Sequence, residues 1–125
     1  MYGASRLLAD LCELGYPATE VTAPDGTKFV VISPFTVVGG RFDGRVIDLS
    51  VQATPDFPIS VSSAIHVRAT PQLYERGDSV PNVRNITNSV LGDEWCYWSH
   101  NFGWNGERTA RRLISQINGI FLRAA

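Results

Sequence analysis

The sequence predicts an α+β fold in which a helix near each end of the chain flanks an antiparallel sheet. Three observations support this prediction: leucines at helical spacing near the amino terminus, alternating apolar residues in the middle, and a second helical stripe near the carboxyl terminus. The length of 125 residues suits one domain over residues 1–125. Hydrophobic residues make up 44% and charged residues 18%, which is typical of a folded globular chain.

The first helix is predicted over residues 5–14. Its leucines recur at helical spacing, with Ser5 as the expected cap and residues 15–17 as the expected stop. Cys12 falls within this amphipathic helix, where a thiol is usually buried and inert. The sequence therefore predicts a structural role for Cys12.

Three strands are predicted next, over residues 28–33, 45–53 and 59–69. The second and third alternate between apolar and other residues, which is typical of strands that bury one face. Together the three strands are expected to form a meander. The apolar faces are Ile47, Leu49, Val51 and Ala53 in the second strand, and Ile59, Val61, Ile65, Val67 and Ala69 in the third.

The region between Thr70 and Trp95 shows neither the helical spacing nor the strand alternation of apolar residues. It is rich in proline, glycine and asparagine, and is therefore predicted to be irregular. It leads into residues 93–104, which contain all three tryptophans together with Cys96 and His100, so any chemistry is expected there. The last helix is predicted from an apolar stripe: Ala110, Leu113, Ile114, Ile117, Ile120 and Phe121.

Charge and terminal sequence narrow the function classes. With 11 basic and 12 acidic residues the net charge is −1, so the chain lacks the basic excess of a phosphate-binding surface, and no nucleic-acid partner is expected. The amino terminus has no long apolar run, so neither a secretory signal nor a membrane span is expected and a cytoplasmic location is predicted. Cys12 and Cys96 are then expected to be free thiols.

Residues 42–58 resemble the second-to-third strand region of the ubiquitin-conjugating enzymes, where a strand of the type Tyr/Phe-x-Gly-Gly-x-Phe leads into Pro-x-Tyr-Pro. Here Pro55-Asp56-Phe57-Pro58 supplies that tetrapeptide. In that family a tryptophan follows the catalytic cysteine by about eight positions, and Trp104 follows Cys96 by eight. The resemblance extends from about residue 7 to residue 122, and it implies the ubiquitin-conjugating fold.

The sequence also departs from the family pattern. Standard members carry a His-Pro-Asn tripeptide before the cysteine, whose asparagine helps to stabilise the oxyanion, and this chain has no such tripeptide. Thr70-Pro71-Gln72 occupies roughly its position. These departures are similar to those of divergent prokaryotic relatives found in defence-type operons with a ubiquitin-like protein, an activating enzyme and a deconjugating peptidase.

The resemblance implies a conjugating enzyme in which Cys96 accepts the acyl group of a ubiquitin-like protein from an activating enzyme and passes it to a target amine. Asp93 and Glu94 lie next in sequence and are expected to raise the pKa of the Cys96 thiol and to attract a lysine ammonium. The oxyanion donor is expected among side chains near the cysteine in sequence. The candidates are His100, Asn101 and Asn88, with Asn82 and Asn85 as further members of the same segment.

Two alternatives stay open from sequence. One is a catalytically inactive variant of the same fold that only binds a ubiquitin-like partner, with Cys96 buried. The other is a small thiol hydrolase, which needs a histidine in contact with Cys96. His66 lies on the polar face of its strand and is predicted to face solvent or to anchor a loop. No cofactor or metal is expected, because the cysteines and histidines match no metal-ligand spacing.

Overall fold

The computed structural model describes residues 1–80 and 83–124, which form an α+β fold as the sequence predicted. Helices lie at both ends of the chain and the strands between them pair in one antiparallel sheet. The order across the six-stranded sheet is β1-β2-β3-β4-β6-β5. The elements are α1 (Ala4–Glu13), β1 (Ala18–Thr22), β2 (Lys28–Thr36), β3 (Val46–Gln52), β4 (Ala64–Arg68), β5 (Ile86–Ser89), β6 (Gly92–Ser99) and α2 (Ala110–Arg123).

Both predicted helices are confirmed, and both pack through an apolar face. In α1, Leu7 and Leu11 are buried, but the N-cap is Gly3 rather than the expected Ser5. Gly3 has a φ of 77°, a conformation that glycine adopts without strain. The cap of α2 is Thr109, whose hydroxyl accepts a hydrogen bond from the Arg112 N–H at 3.2 Å. All six residues of the predicted α2 stripe are buried: Ala110, Leu113, Ile114, Ile117, Ile120 and Phe121.

The predicted meander is present, with changes at its ends. Strand β2 extends to Thr36 past an irregularity between Ile32 and Phe35, where Pro34 cannot donate a ladder hydrogen bond. The third predicted strand shortens to β4, and Ile59 is 52% exposed instead of facing the core. Strand β1 was not predicted, because as an edge strand it is mostly exposed and carries little alternation. The four predicted apolar positions of the second strand are all buried: Ile47, Leu49, Val51 and Ala53.

The prediction of an irregular chain up to Trp95 is wrong at its carboxyl end. Residues 86–99 form the hairpin β5–β6, and Cys96 lies inside strand β6. The aromatic residues around Cys96 are good strand formers. Strand β6 also pairs with β4 on its other side, a long-range contact that no local pattern reveals. Cys96 is therefore held in a regular strand that lies between β4 and the edge strand β5.

The prediction that Cys12 is buried is wrong, and of the two alternatives predicted for His66, facing solvent or anchoring a loop, the first is wrong. Cys12 is exposed, because it lies on the outer side of α1, away from Leu7 and Leu11. His66 is only 3% exposed, because the rings of Phe29 and Tyr97 pack edge-on against it at 4.9 and 5.3 Å. Both cysteines are free thiols, as predicted. Among the described residues, no helix is long and apolar enough to cross a membrane.

Candidate thiol site

Cys96 lies in the interior of strand β6, between Val67 of β4 and Asn88 of β5. It is 1% exposed and belongs to the main hydrophobic core. Trp98, two residues along the same strand, packs against Phe121 of α2 with ring centroids 5.5 Å apart. Because residues i and i+2 of a strand share a face, Cys96 points toward the face of the sheet that α2 covers.

A segment that is not part of the sheet lies over Cys96. We call residues 70–78 the strap. The Tyr74 carbonyl oxygen is 3.9 Å from the Cys96 sulfur, at the limit of a weak S–H hydrogen bond. Strap side chains on either side of Tyr74 reach the β6 backbone just before Cys96. Gln72 Nε2 donates to the Glu94 carbonyl at 2.7 Å, and Arg76 Nη2 donates to the Asp93 carbonyl at 2.5 Å.

The centre of the strap is the aromatic side chain of Tyr74, which is 7% exposed. Its ring packs on Phe42 at 5.0 Å and on Trp98 at 5.5 Å. The Arg41 guanidinium lies 5.5 Å from the same ring. A cleft of about 310 Å³ opens beside this cluster and is lined in part by Arg41, Tyr74 and Asp78. Most of the residues that line this cleft belong to the strap.

Burial raises the pKa of the Cys96 thiol. The Arg76 guanidinium acts in the opposite direction, and the carboxylates of Glu75 and Asp78 add to the rise. The predicted direction is thus confirmed, but its origin differs from the prediction. The contributing carboxylates belong to the strap, whereas Glu94 of β6 points to Arg68, whose Nη1 lies 3.4 Å from Glu94 Oε2.

Among the predicted oxyanion donors that the structure describes, Asn88 is the one in strand register with Cys96. It is the register partner of Cys96 across β5 and β6, so the two side chains stand on the same face of the sheet. Asn88 is exposed while Cys96 is buried, which puts the amide at the rim of the site. Asn85 lies just before β5, and its carbonyl accepts from the Ser99 N–H at 3.0 Å. Asn82 lies outside the described residues.

His100 and Asn101 follow the end of β6. The His100 N–H donates to the Ser63 carbonyl at 2.8 Å, and the His100 ring packs edge-on against Phe102 at 5.0 Å. Four residues of extended chain span about 13 Å, so His100 lies well along the strand from Cys96. Neither His100 nor Asn101 is in strand register with Cys96 as Asn88 is.

His66 stands on the opposite face of the sheet from Cys96, because its register partner is Tyr97, the neighbour of Cys96 in the strand. Burial lowers the pKa of His66 to about 4, so the imidazole is neutral at pH 7. Its Nδ1 lies 2.7 Å from the Ser89 hydroxyl, which also accepts from the Leu91 N–H at 3.1 Å. His66 therefore anchors the β5–β6 turn and takes no part in a Cys–His pair.

Two polar atoms of the site have no hydrogen-bond partner among the described residues. They are the Tyr74 hydroxyl and the Trp98 Nε1, both buried and on side chains whose rings contact each other. A buried polar atom without a partner costs about 1–3 kcal/mol. The contact between the strap and β6 therefore leaves two buried polar atoms without hydrogen bonds to any described residue.

Sequence reasoning missed three residues that the fold brings to Cys96: Gln72, Tyr74 and Arg76. The approximate match of Thr70-Pro71-Gln72 to the family tripeptide pointed to this segment, but nothing local indicated that it crosses β6. A second partial match to the family tripeptide lies farther along the sequence. Val80-Pro81-Asn82 matches the His-Pro-Asn pattern at its last two positions, 14 residues before Cys96.

Comparison with known proteins gives one family. The family model described as prokaryotic E2 family E matches residues 10–121, which include every helix and strand from the end of α1 to most of α2. No curated protein and no solved structure matches the chain. Within the described residues, no group of three or more histidine, cysteine or acidic side chains is arranged to hold a metal ion.

Proposed function

The chain belongs to prokaryotic E2 family E, and from that premise we propose that it is a conjugating enzyme that carries the acyl group of a ubiquitin-like protein on Cys96. The observation that carries the proposal is the family match, which spans the hairpin and α2 that surround this cysteine. The other cysteine, Cys12, is exposed on helix α1. The proposed partners are a ubiquitin-like protein, its activating enzyme and a target amine, in the cytoplasm.

The proposed reaction has two group-transfer steps. In the first, the Cys96 thiolate attacks the thioester carbonyl carbon on the activating enzyme. A new C–S bond forms, and the activating enzyme's sulfur leaves as a thiolate with the electron pair of the old bond. In the second, an amine attacks the Cys96 thioester, a C–N bond forms, and the Cys96 sulfur leaves as a thiolate. The amine loses its proton to a base as the charge on nitrogen disappears.

Each amine attack builds negative charge on the carbonyl oxygen, which a side-chain amide at the rim can stabilise. Asn88 is the best supported donor because its strand register sets it beside Cys96. Asn101 and His100 remain candidates of the same proposal, and Asn82 matches the asparagine of the family tripeptide in sequence. The carboxylates of Glu75 and Asp78 act electrostatically on the Cys96 thiol. We therefore propose that they also attract the ammonium group of an incoming lysine.

The test is thioester loading in the presence of the activating enzyme, ATP and the ubiquitin-like protein. We expect the wild type and Cys12→Ala to form a thiol-sensitive adduct and Cys96→Ala to form none. Cys96→Ser should trap an oxyester that survives reducing agent, because an alkoxide is a poorer leaving group than a thiolate. An adduct that persists in Cys96→Ala or disappears in Cys12→Ala would contradict the assignment.

The same preparations measure discharge in a single turnover. Loss of one oxyanion donor typically slows such a step by about 10²–10³. We expect Asn88→Ala to slow discharge to free lysine while it leaves loading nearly intact. The matched control is Thr87→Ala, an exposed residue of the same strand whose register partner is Tyr97, so that it stands on the opposite face of the sheet from Cys96. Equal discharge by Asn88→Ala and the wild type would assign the donor to Asn101, His100, Asn82 or a backbone N–H.

A second function is favoured by one observation, the 1% exposure of Cys96. A chain whose cysteine never emerges would bind the ubiquitin-like partner without forming a thioester. The loading experiment separates the two, because this binding module would bind its partner and leave Cys96 unmodified. The hydrolase alternative has no such support, since His66 faces the opposite side of the sheet from Cys96.

A further inference from the structure

We propose that the strap, residues 70–78, is a displaceable cover that controls access to Cys96. The purpose of such a cover rests on the proposed function, because a nucleophile that is 1% exposed cannot meet a thioester on another protein. The cover itself is a property of this chain alone. It can therefore be tested with a small thiol reagent in the absence of any partner.

The strap is attached to β6 by side chains and not by a strand ladder. The described residues 70–78 form no strand of the sheet. They are linked to β6 by the Gln72 and Arg76 hydrogen bonds and by the contacts of Tyr74 with the Cys96 sulfur and the Trp98 ring. Arg76 Nη2 also lies 3.4 Å from the Trp95 carbonyl. Loss of a few side-chain contacts can therefore free the strap while the backbone hydrogen bonds of β6 to β4 and β5 stay intact.

The ends of the strap are fixed independently of its centre. Arg45 Nη2 donates to the Pro71 carbonyl at 2.5 Å, and the Gly77 N–H donates to the Ile86 carbonyl at 2.8 Å. Neither contact involves β6. The segment between these two points carries Gln72, Tyr74 and Arg76, so the part that covers the sulfur can lift while both ends stay attached.

The closed position also carries an energetic cost. The Tyr74 hydroxyl and the Trp98 Nε1 are buried there without partners, and lifting the strap would return at least the hydroxyl to water. The same side chain packs on Phe42 and Trp98, which favours closure. Closure is therefore a balance between aromatic packing and unsatisfied polar groups, which suits a segment that opens and closes.

Arg76 makes the proposal testable because its two effects on Cys96 are opposite in sign. Its positive charge lowers the pKa of the thiol and thereby favours the reactive thiolate. Its hydrogen bonds to the β6 backbone hold the cover shut. If Arg76 acted only through charge, its removal would slow the modification of Cys96. Faster modification after its removal can come only from better access.

The experiment measures the rate at which N-ethylmaleimide modifies Cys96 in a Cys12→Ser background, since Cys12 is exposed and would react first. We expect slow modification of this parent and about ten- to hundredfold faster modification after Arg76→Ala, the effect of one charge-assisted hydrogen bond on an opening equilibrium. Gln72→Ala removes a neutral hydrogen bond without a change of charge and should accelerate modification about two- to tenfold. Arg111→Ala, an exposed arginine on α2, is the matched control and should leave the rate unchanged.

Thermal unfolding of each variant shows whether it remains cooperatively folded, and Gln72→Ala serves if Arg76→Ala does not fold. Unchanged rates in both folded variants would overturn the cover, and so would a parent that reacts as fast as its urea-unfolded chain. Failure of the proposed function is recognised separately. If modification accelerates in the variants but no thioester forms on Cys96 in the loading experiment, the cover is supported and the conjugating role is refuted.

Discussion

Helix α2 and the strap cover neighbouring parts of the same face of the sheet, but they are held there by different forces. Helix α2 inserts six fully apolar side chains, all buried. The strap buries Leu73 and Tyr74 and otherwise depends on polar side chains that reach the β6 backbone. Each buried apolar side chain contributes about 1.5–3 kcal/mol, and each hydrogen bond only about 0.5–1.5 kcal/mol net.

This difference separates what must stay closed from what can open. Removal of α2 would expose most of the core, so that cover can be lost only in global unfolding. The strap can lift at the cost of two buried side chains and a few hydrogen bonds. Cys96, the proposed nucleophile, lies under the strap. Three measurements in addition to the maleimide and loading experiments test this comparison.

The largest effect is expected from Phe121→Ala in α2. Phe121 is 0% exposed and packs on Trp98 and Phe35 at 5.5 and 6.2 Å, so its removal leaves a cavity that the core cannot fill. The free energy of unfolding, measured by urea denaturation, should fall by about 3–5 kcal/mol. Leu122→Ala is the matched control, since Leu122 is 61% exposed and should change stability by less than about 0.5 kcal/mol. Similar losses for the two variants would show that α2 is not the fixed cover.

An intermediate effect is expected from acid, through His66 and the hairpin beneath the strap. Burial lowers the pKa of His66 to about 4, whereas a histidine in the unfolded chain has a pKa near 6.5. Between these values the unfolded chain binds a proton that the folded chain does not, so stability present above pH 6.5 is lost as the pH falls toward 4. From pH 7 to pH 5 we expect a loss of about 2 kcal/mol.

The control for this acid effect is His66→Gln, which cannot titrate and should lose most of the slope between pH 7 and pH 5. That interval lies above the usual range of carboxyl titration, so acidic residues contribute little to it. Urea denaturation at each pH measures the slope. Identical slopes in the variant and the parent would refute a neutral, buried His66 as the anchor of the β5–β6 turn.

The smallest effect is expected from Tyr74→Phe, which removes the unpartnered hydroxyl and keeps the ring. The free energy of unfolding should rise by about 1 kcal/mol, because a buried polar group without a partner is no longer present in the folded state. The modification of Cys96 should slow at the same time, because the closed position of the strap becomes more stable relative to the open one. The phenyl ring keeps its contact with Trp98, so the substitution changes the hydroxyl and leaves the ring packing as it was. Lower stability would mean that the hydroxyl has a hydrogen-bond partner after all.

Helix α2 and the central strand β3 could be predicted from local pattern, but the surroundings of Cys96 could not. The six-residue stripe of α2 and the alternation of β3 were confirmed residue by residue, because each reflects a repeat of a few positions that fixes which side faces the core. The prediction of a buried Cys12 was wrong, and for His66 only one of the two predicted alternatives, the anchoring of a loop, was right. Each depended on which neighbours cover one side chain, and for His66 these are rings from β2 and β6.

The sequence by itself determined the α+β order, the apolar faces of its clearest helix and strand, and the resemblance to conjugating enzymes that the family match supports. Only the tertiary structure decided that Cys96 lies in a strand, that Asn88 stands across from it, and that residues 70–78 pass over it. The physical reason is range. Helix and strand periods are set by neighbours along the chain, whereas the surroundings of Cys96 come from segments 22 residues away at Tyr74 and on two other strands. No period in the sequence encodes such contacts.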